Sequence, residues 1–227
     1  MNTVRADFDT RAAEVAGYFQ FVLGLAEERL HVCKPGSTEK AFPPDDHEGL
    51  LKTLKAGCYL LLYNLVESTM RNAIEAIFDE LRTKKVGFDA CREEIKQEVL
   101  SNFKKRNVDK LLPRLLDLAR DVVVETFERS ETFGGNLDAQ TIRKTATRYG
   151  FPAPDGTKSW MLRTVKDNRN DLAHGVKSFA DVGRNALPSE LEEARKQTVA
   201  ILSETLDNIS DYLAQQHYLA ANAGGVI

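Results

Sequence analysis

Residues 50–81 read LLKTLKAGCYLLLYNLVESTMRNAIEAIFDEL, and the fold class follows from their spacing. Apolar side chains recur at Leu50, Leu51, Leu54, Cys58, Leu61, Leu62, Leu65, Val66, Ala73, Ile74, Ile77, Phe78 and Leu81, three and four residues apart, the period of one helix face. Pro43-Pro44-Asp45-Asp46 opens the run. At 1.5 Å per residue the helix spans about 50 Å, long enough to be the spine of a domain. Between Tyr59 and Val66 it is apolar almost all round, so it packs on more than one side. Asn64, Glu67, Arg71 and Asn72 interrupt this surface and need partners wherever they are buried.

Working outward, the spacing of Val15, Tyr18, Phe19, Val22, Leu23 and Leu25 predicts a helix over residues 8–31, ended by Cys33-Lys-Pro-Gly-Ser-Thr. Asp89 is a candidate cap for a third helix carrying Ile95, Val99, Leu100 and Phe103. A further apolar series runs from Leu111 to Val123, and short helices are expected over 138–149 and from about Ser159 to His174. After Gly175 a linker leads to Pro188, at the first turn of a last long helix with Glu190, Glu192 and Glu193 near its start and Val199, Leu202, Leu206, Ile209 and Leu213 along it. No segment alternates convincingly as a strand. The expected architecture is an all-α bundle framed by two long helices, with shorter helices and an inserted basic segment. Residues 1–45 would form an N-terminal helix and linker, 46–216 the helical domain and 217–227 a flexible tail.

Composition agrees with that class. Of 227 residues 42% are hydrophobic and 29% charged, and there are only 14 Gly and 7 Pro, which argues against disorder and against a loop-rich β design. No signal peptide and no 18-residue uncharged span is present, so a cytoplasmic protein without membrane contact is expected. Cys33, Cys58 and Cys91 are odd in number and widely spaced, which supports neither a disulfide framework nor a zinc knuckle. The four histidines are scattered, and no phosphate loop or nucleophile elbow occurs; neither a metal nor a cofactor is expected.

The chemistry is concentrated in Lys166-Asp-Asn-Arg-Asn-Asp-Leu-Ala-His-Gly175. Asn170 and His174 are four residues apart and share a helix face, whereas Arg169 points about 140° away from His174 on an ideal helix. A guanidinium able to hold a phosphate by two hydrogen bonds, an imidazole that carries a proton near neutrality and an amide to orient either suffice to cut RNA. The ribose 2′-hydroxyl is then the nucleophile. The competing reading is structural: a His beside Gly at a helix end also caps the helix, and Arg-Asn-Asp also suits a solvated face.

Arg169-Asn-Asp-Leu-Ala-His174, an Arg-x-x-x-x-His pattern with a polar residue after the Arg, resembles the signature of the HEPN superfamily (higher eukaryotes and prokaryotes nucleotide-binding domain). The run Leu60-Leu-Leu-Tyr-Asn-Leu-Val-Glu-Ser-Thr-Met-Arg-Asn-Ala-Ile, together with Gly135-Asn-Leu-Asp, Tyr149-Gly150 and Leu172-Ala-His-Gly, is similar to the larger bacterial MAE-type group, over roughly residues 50–215. The resemblance implies an all-α domain that dimerises to face two motifs into one cleft, a metal-independent endoribonuclease that acts as a toxin or antiphage effector, held in check by an antitoxin or defence partner. By position, His174 would be the acid or base, Arg169 the phosphate-binding group, Asn170 its polar partner and Asp171 a supporting residue. Glu67 and Arg71 fall where such families place extra polar residues, and equally form an intrahelical ion pair. The subgroup paired with nucleotidyltransferase antitoxins has a Tyr two residues after the His, where this chain has Val176. The alternative is a HEPN-type module that binds nucleotide, RNA or protein without catalysis.

Charge distribution adds an independent sign. Between Gln140 and Lys177 stand Arg143, Lys144, Arg148, Lys158, Arg163, Lys166, Arg169 and Lys177 against three Asp, a net of +5 in a chain whose total is -3. Arg143, Lys144, Arg148, Lys158, Arg163 and Lys166 are therefore candidate RNA-binding residues. Tyr149, Phe151 and Trp160 lie among them, either as base-stacking platforms or as core.

Overall fold

The computed structural model describes residues 1–105, 127, 129, 132–133, 136–156 and 160–220. Among these it contains seven helices and no strand: α1 (Asn2–Ala26), α2 (Pro44–Thr83), α3 (Glu93–Lys105), α4 (Ala139–Tyr149), α5 (Trp160–Ala173), α6 (Phe179–Asn185) and α7 (Pro188–Ala214). This is the expected all-α bundle. None of these helices is long and apolar enough to cross a membrane. The apolar series from Leu111 to Val123, together with Gly135 and Lys158, lies outside the described residues.

α2 begins at Pro44, which has no amide hydrogen to leave unpaired in the first turn, with Asp45 and Asp46 beside the positive end of the helix dipole. Its buried positions, from Ala56 through Tyr59, Leu62, Tyr63, Leu65, Val66, Met70, Ile74 and Phe78 to Leu81, face more than one side, and α1, α5, α6 and α7 all pack on it. Polar ties set the register. The Tyr18 hydroxyl of α1 donates to Leu54 O at 2.9 Å, and Asn72 Nδ2 donates to Asp7 Oδ2 at 2.9 Å. Arg5 joins α1 to α7 through Ser203 Oγ at 2.9 Å and through Asp207. Near the C-terminal end of α7 the buried Tyr212 hydroxyl donates to Tyr149 O at 2.8 Å, fixing the end of α4.

α1 begins at Asn2, earlier than residue 8, and other boundaries differ from expectation for local reasons. α1 stops at Ala26 rather than near residue 31: the chain reverses, Leu30 N donates to Gly24 O at 2.9 Å, and the Leu30 side chain folds over the space a Gly24 side chain would occupy. Asp89 does not cap α3, which starts at Glu93, because residues 87–91 form their own turns with Ala90 N bonded to Gly87 O at 3.1 Å. The linker expected after Gly175 contains α6, started by a capping box in which Ser178 and Asp181 each satisfy the other's backbone N–H. Gly183 of α6 lies so close to α2 that a Cβ there would stand 1.8 Å from Lys52 O. Lys55 Nζ, donating to Ala186 O at 2.8 Å, closes the same joint. Residues 217–220, read from the sequence as the start of a tail, lie against residues 90–92 just before α3, with Arg92 N donating to Tyr218 O at 2.7 Å and Tyr218 buried.

Candidate active site

α5 carries the Arg-x-x-x-x-His stretch, and its C-terminal end decides where His174 goes. Gly175 takes φ +67°, a left-handed conformation natural to glycine, and Val176 N bonds back to Asp171 O at 2.8 Å. This is the closing turn of a helix with glycine just beyond its end. His174 is the last residue before that glycine, its N–H bonded to Asn170 O at 3.0 Å and its side chain exposed. Asp171 contributes to the turn, its carboxylate 2.6 Å from Lys177 Nζ.

Arg169 turns inward instead. Its guanidinium lies 4.2 Å from the centroid of the Tyr63 ring on α2, a cation–π stack. One amino group donates to Asn170 Oδ1 at 2.9 Å, and another stands 3.9 Å from Glu67 Oε2. Glu67 is shared: its other oxygen accepts from Arg71 Nη2 at 2.7 Å. Arg71 in turn donates to Arg129 O at 2.6 Å and to Phe133 O at 2.7 Å, fastening the segment before α4 to the spine. The intrahelical ion pair of Glu67 and Arg71 forms, and the same carboxylate group faces Arg169. Asn170 Nδ2 reaches Asn136 Oδ1 at 3.2 Å.

Tyr63, Asn136 and Asp138 stand within the stretches that carry the family resemblance, but the sequence alone assigns none of them a role in the site. Tyr63, Glu67 and Arg71 form an i, i+4, i+8 stripe along α2, which was the available signal. The Tyr63 ring carries Arg169, while its hydroxyl accepts from Leu137 N at 3.2 Å between Asn136 and Asp138. Burial pushes the Tyr63 phenol above its ordinary range, so it stays neutral and acts as a support.

The model of the MAE_28990-like HEPN family matches residues 1–218. The chain belongs to this HEPN family. The match takes in α1 as well as the part whose resemblance was legible from residue 50 onward. Neither a curated protein nor a solved structure matches the chain.

In this HEPN protein the basic residues separate into different environments. Lys166 Nζ is 2.8 Å from Asp138 Oδ2, a half-buried ion pair at the groove between α4 and α5. Arg148 of α4 is 3.3 Å from the buried Glu98 of α3. Lys144 is exposed, and Arg163 is exposed 3.6 Å from Asp167. Arg143 faces a groove between α4 and α5. Of the aromatics, Tyr149 and Phe151 are core, 2% and 4% exposed, and Trp160 is 60% exposed. No three His, Cys, Asp or Glu side chains gather as metal ligands among the described residues.

Asp138 also caps α4, accepting from Thr141 N at 2.8 Å. Its burial alone would raise the carboxyl pKa, but hydrogen bonds from Lys166 and from Thr141 outweigh it and hold Asp138 below the ordinary range; the same hydrogen bond holds Lys166 above its own. The pair thus stabilises the fold above the ordinary aspartate range, a contribution lost as pH falls through the lowered Asp138 value, and lost again as pH rises through the raised Lys166 value. Asp138→Asn keeps a good cap but removes the ion pair. It should cost about 1–2 kcal/mol at neutral pH, with the gap to the unsubstituted protein narrowing in acid, as urea titrations at several pH values will measure.

Proposed function

We propose that this HEPN protein is a metal-independent endoribonuclease, working as a homodimer and serving as a toxin or antiphage effector restrained by a partner protein. The observation that carries the reading is the contrast at the end of α5: an exposed imidazole on a glycine-closed helix terminus, and five residues earlier a guanidinium preset against Tyr63 and Glu67. An imidazole at His174 removes the proton of the ribose 2′-hydroxyl. The O2′–P bond then forms as the P–O5′ bond breaks, and a protonated imidazole, which a second copy would supply, gives its proton to the departing O5′. The Arg169 guanidinium answers the charge that develops on the phosphoryl oxygens, and Asn170, bonded to both Arg169 and Asn136, orients it. The products are a 2′,3′-cyclic phosphate and a 5′-hydroxyl.

Support for a second copy comes from the apolar residues left exposed in the stretch that follows His174: Val176 at 70%, Leu187 at 55% and Phe179 at 39%. The competing reading, a binding module without catalysis, draws on the engagement of Arg169 by Glu67 and Tyr63, which also serves packing. Purified protein incubated with RNA in EDTA separates the two. Cleavage leaving cyclic-phosphate ends is expected, and intact RNA, or cleavage that needs an added metal, overturns the proposal.

A further inference from the structure

The groove between α4 and α5 has a volume of about 550 Å³ and is lined in part by Arg143, Trp160, Arg163, Lys166, Asp138 and Asp167. Its charges are unevenly matched. Lys166 is paired with Asp138 at 2.8 Å, and Asp167 lies 3.6 Å from both Arg163 and Lys166. Arg143 has no ion pair among the described residues, and its Nη1 is buried there without a hydrogen-bond partner. Beside it, at the first turn of α5, stands Trp160, the largest exposed apolar side chain of the described residues and the one Trp of the whole chain. An indole left in water beside a guanidinium whose Nη1 finds no partner among the described residues suits a ligand with a flat π face and an anionic group.

α5 connects this groove to His174. At 100° per residue Trp160, Arg163, Asp167, Asn170 and His174 fall within a sector of about 80° on one side of the helix, with Trp160 and His174 about 21 Å apart along its axis. We infer that the groove is a nucleotide subsite for single-stranded RNA, in which one base stacks on Trp160 and its phosphate is held by Arg143 and Arg163, while the strand continues along α5 to His174. This inference rests on the endoribonuclease reading and adds to it a requirement on substrate length and on a single stranded partner. Stacking tolerates any base, so the subsite selects strand length and single-strandedness rather than sequence.

The lone Trp makes the test direct. In His174→Ala protein, which keeps RNA intact, titration with an oligoadenylate of about a dozen nucleotides should quench the indole fluorescence, and the affinity should fall with salt. With otherwise unaltered protein, Trp160→Ala should raise KM for that strand by about tenfold or more while kcat holds, Trp160→Phe should recover most of the loss, and a dinucleotide should be affected less than the longer strand. Circular dichroism checks that the variants are folded. Binding of the oligonucleotide, seen by anisotropy of a labelled strand, with unchanged indole fluorescence overturns the subsite and leaves the nuclease reading standing, as does cleavage with KM unmoved by Trp160→Ala. A protein that neither binds nor cuts RNA removes both.

Discussion

His174→Ala should lower the rate of RNA cleavage by about 10³-fold, with little change in stability. The imidazole is exposed and the turn that carries it is closed by backbone bonds, Val176 N to Asp171 O at 2.8 Å, which the substitution leaves in place. Exposed substitutions of this kind shift stability by no more than about 0.5 kcal/mol. Arg169→Lys is the informative companion. A lysine keeps the charge but cannot bond a phosphate in a fork or stack flat on the Tyr63 ring, so a loss of about 10²-fold is expected even though no charge is removed. Initial rates on a fluorescent RNA, with thermal unfolding measured on the same preparations, provide the comparison. Activity equal to the unsubstituted protein after His174→Ala refutes the assignment of this site.

Gly183→Ala should be the most damaging conservative change in the described core. Alanine in a helix is ordinarily favoured over glycine by about 1 kcal/mol. At Gly183 the added methyl would lie 1.8 Å from Lys52 O and 2.5 Å from Lys52 C, backbone atoms of α2 that have no rotamer to move into. Either α6 lifts from the spine or α2 bends. A net loss of about 3 kcal/mol follows, and at this chain length a fall in Tm of roughly 10 °C. Gly17→Ala is the control, because it is exposed on α1 with nothing within 4 Å of its added Cβ, and it should stabilise slightly. If Gly183→Ala melts no lower than the unsubstituted protein, α6 is not seated on Lys52.

The same joint explains what could be seen in the sequence and what could not. α2 and α7 were legible because their apolar period persists over 40 and 27 residues and a proline marks each start. α6 was read as linker because seven residues give too few turns for a period, and it docks through the absence of a side chain rather than through an apolar stripe. The only sequence break after α1 is Cys33-Lys-Pro-Gly-Ser-Thr, although the chain turns back earlier, at Ala26. In the candidate site the hexapeptide named Arg169, Asn170 and His174, but their surroundings depend on contacts between residues far apart in the chain. Tyr63 bears Arg169 on its ring, Asn136 holds Asn170, and Asp138 neutralises Lys166. Local spacing says nothing about such pairs. It also could not tell Tyr149 and Phe151, which are core, from Trp160, which is not.

Only three residues separate His174 from Ser178, the N-cap of α6. On one side the glycine-closed end of α5 fixes the backbone; on the other, the capping box and the Gly183 joint do. The conformational entropy of this span is therefore lost during folding and not when a substrate arrives, so binding need not order the imidazole's tether. The endoribonuclease proposed would then need no closing segment on its His174 side.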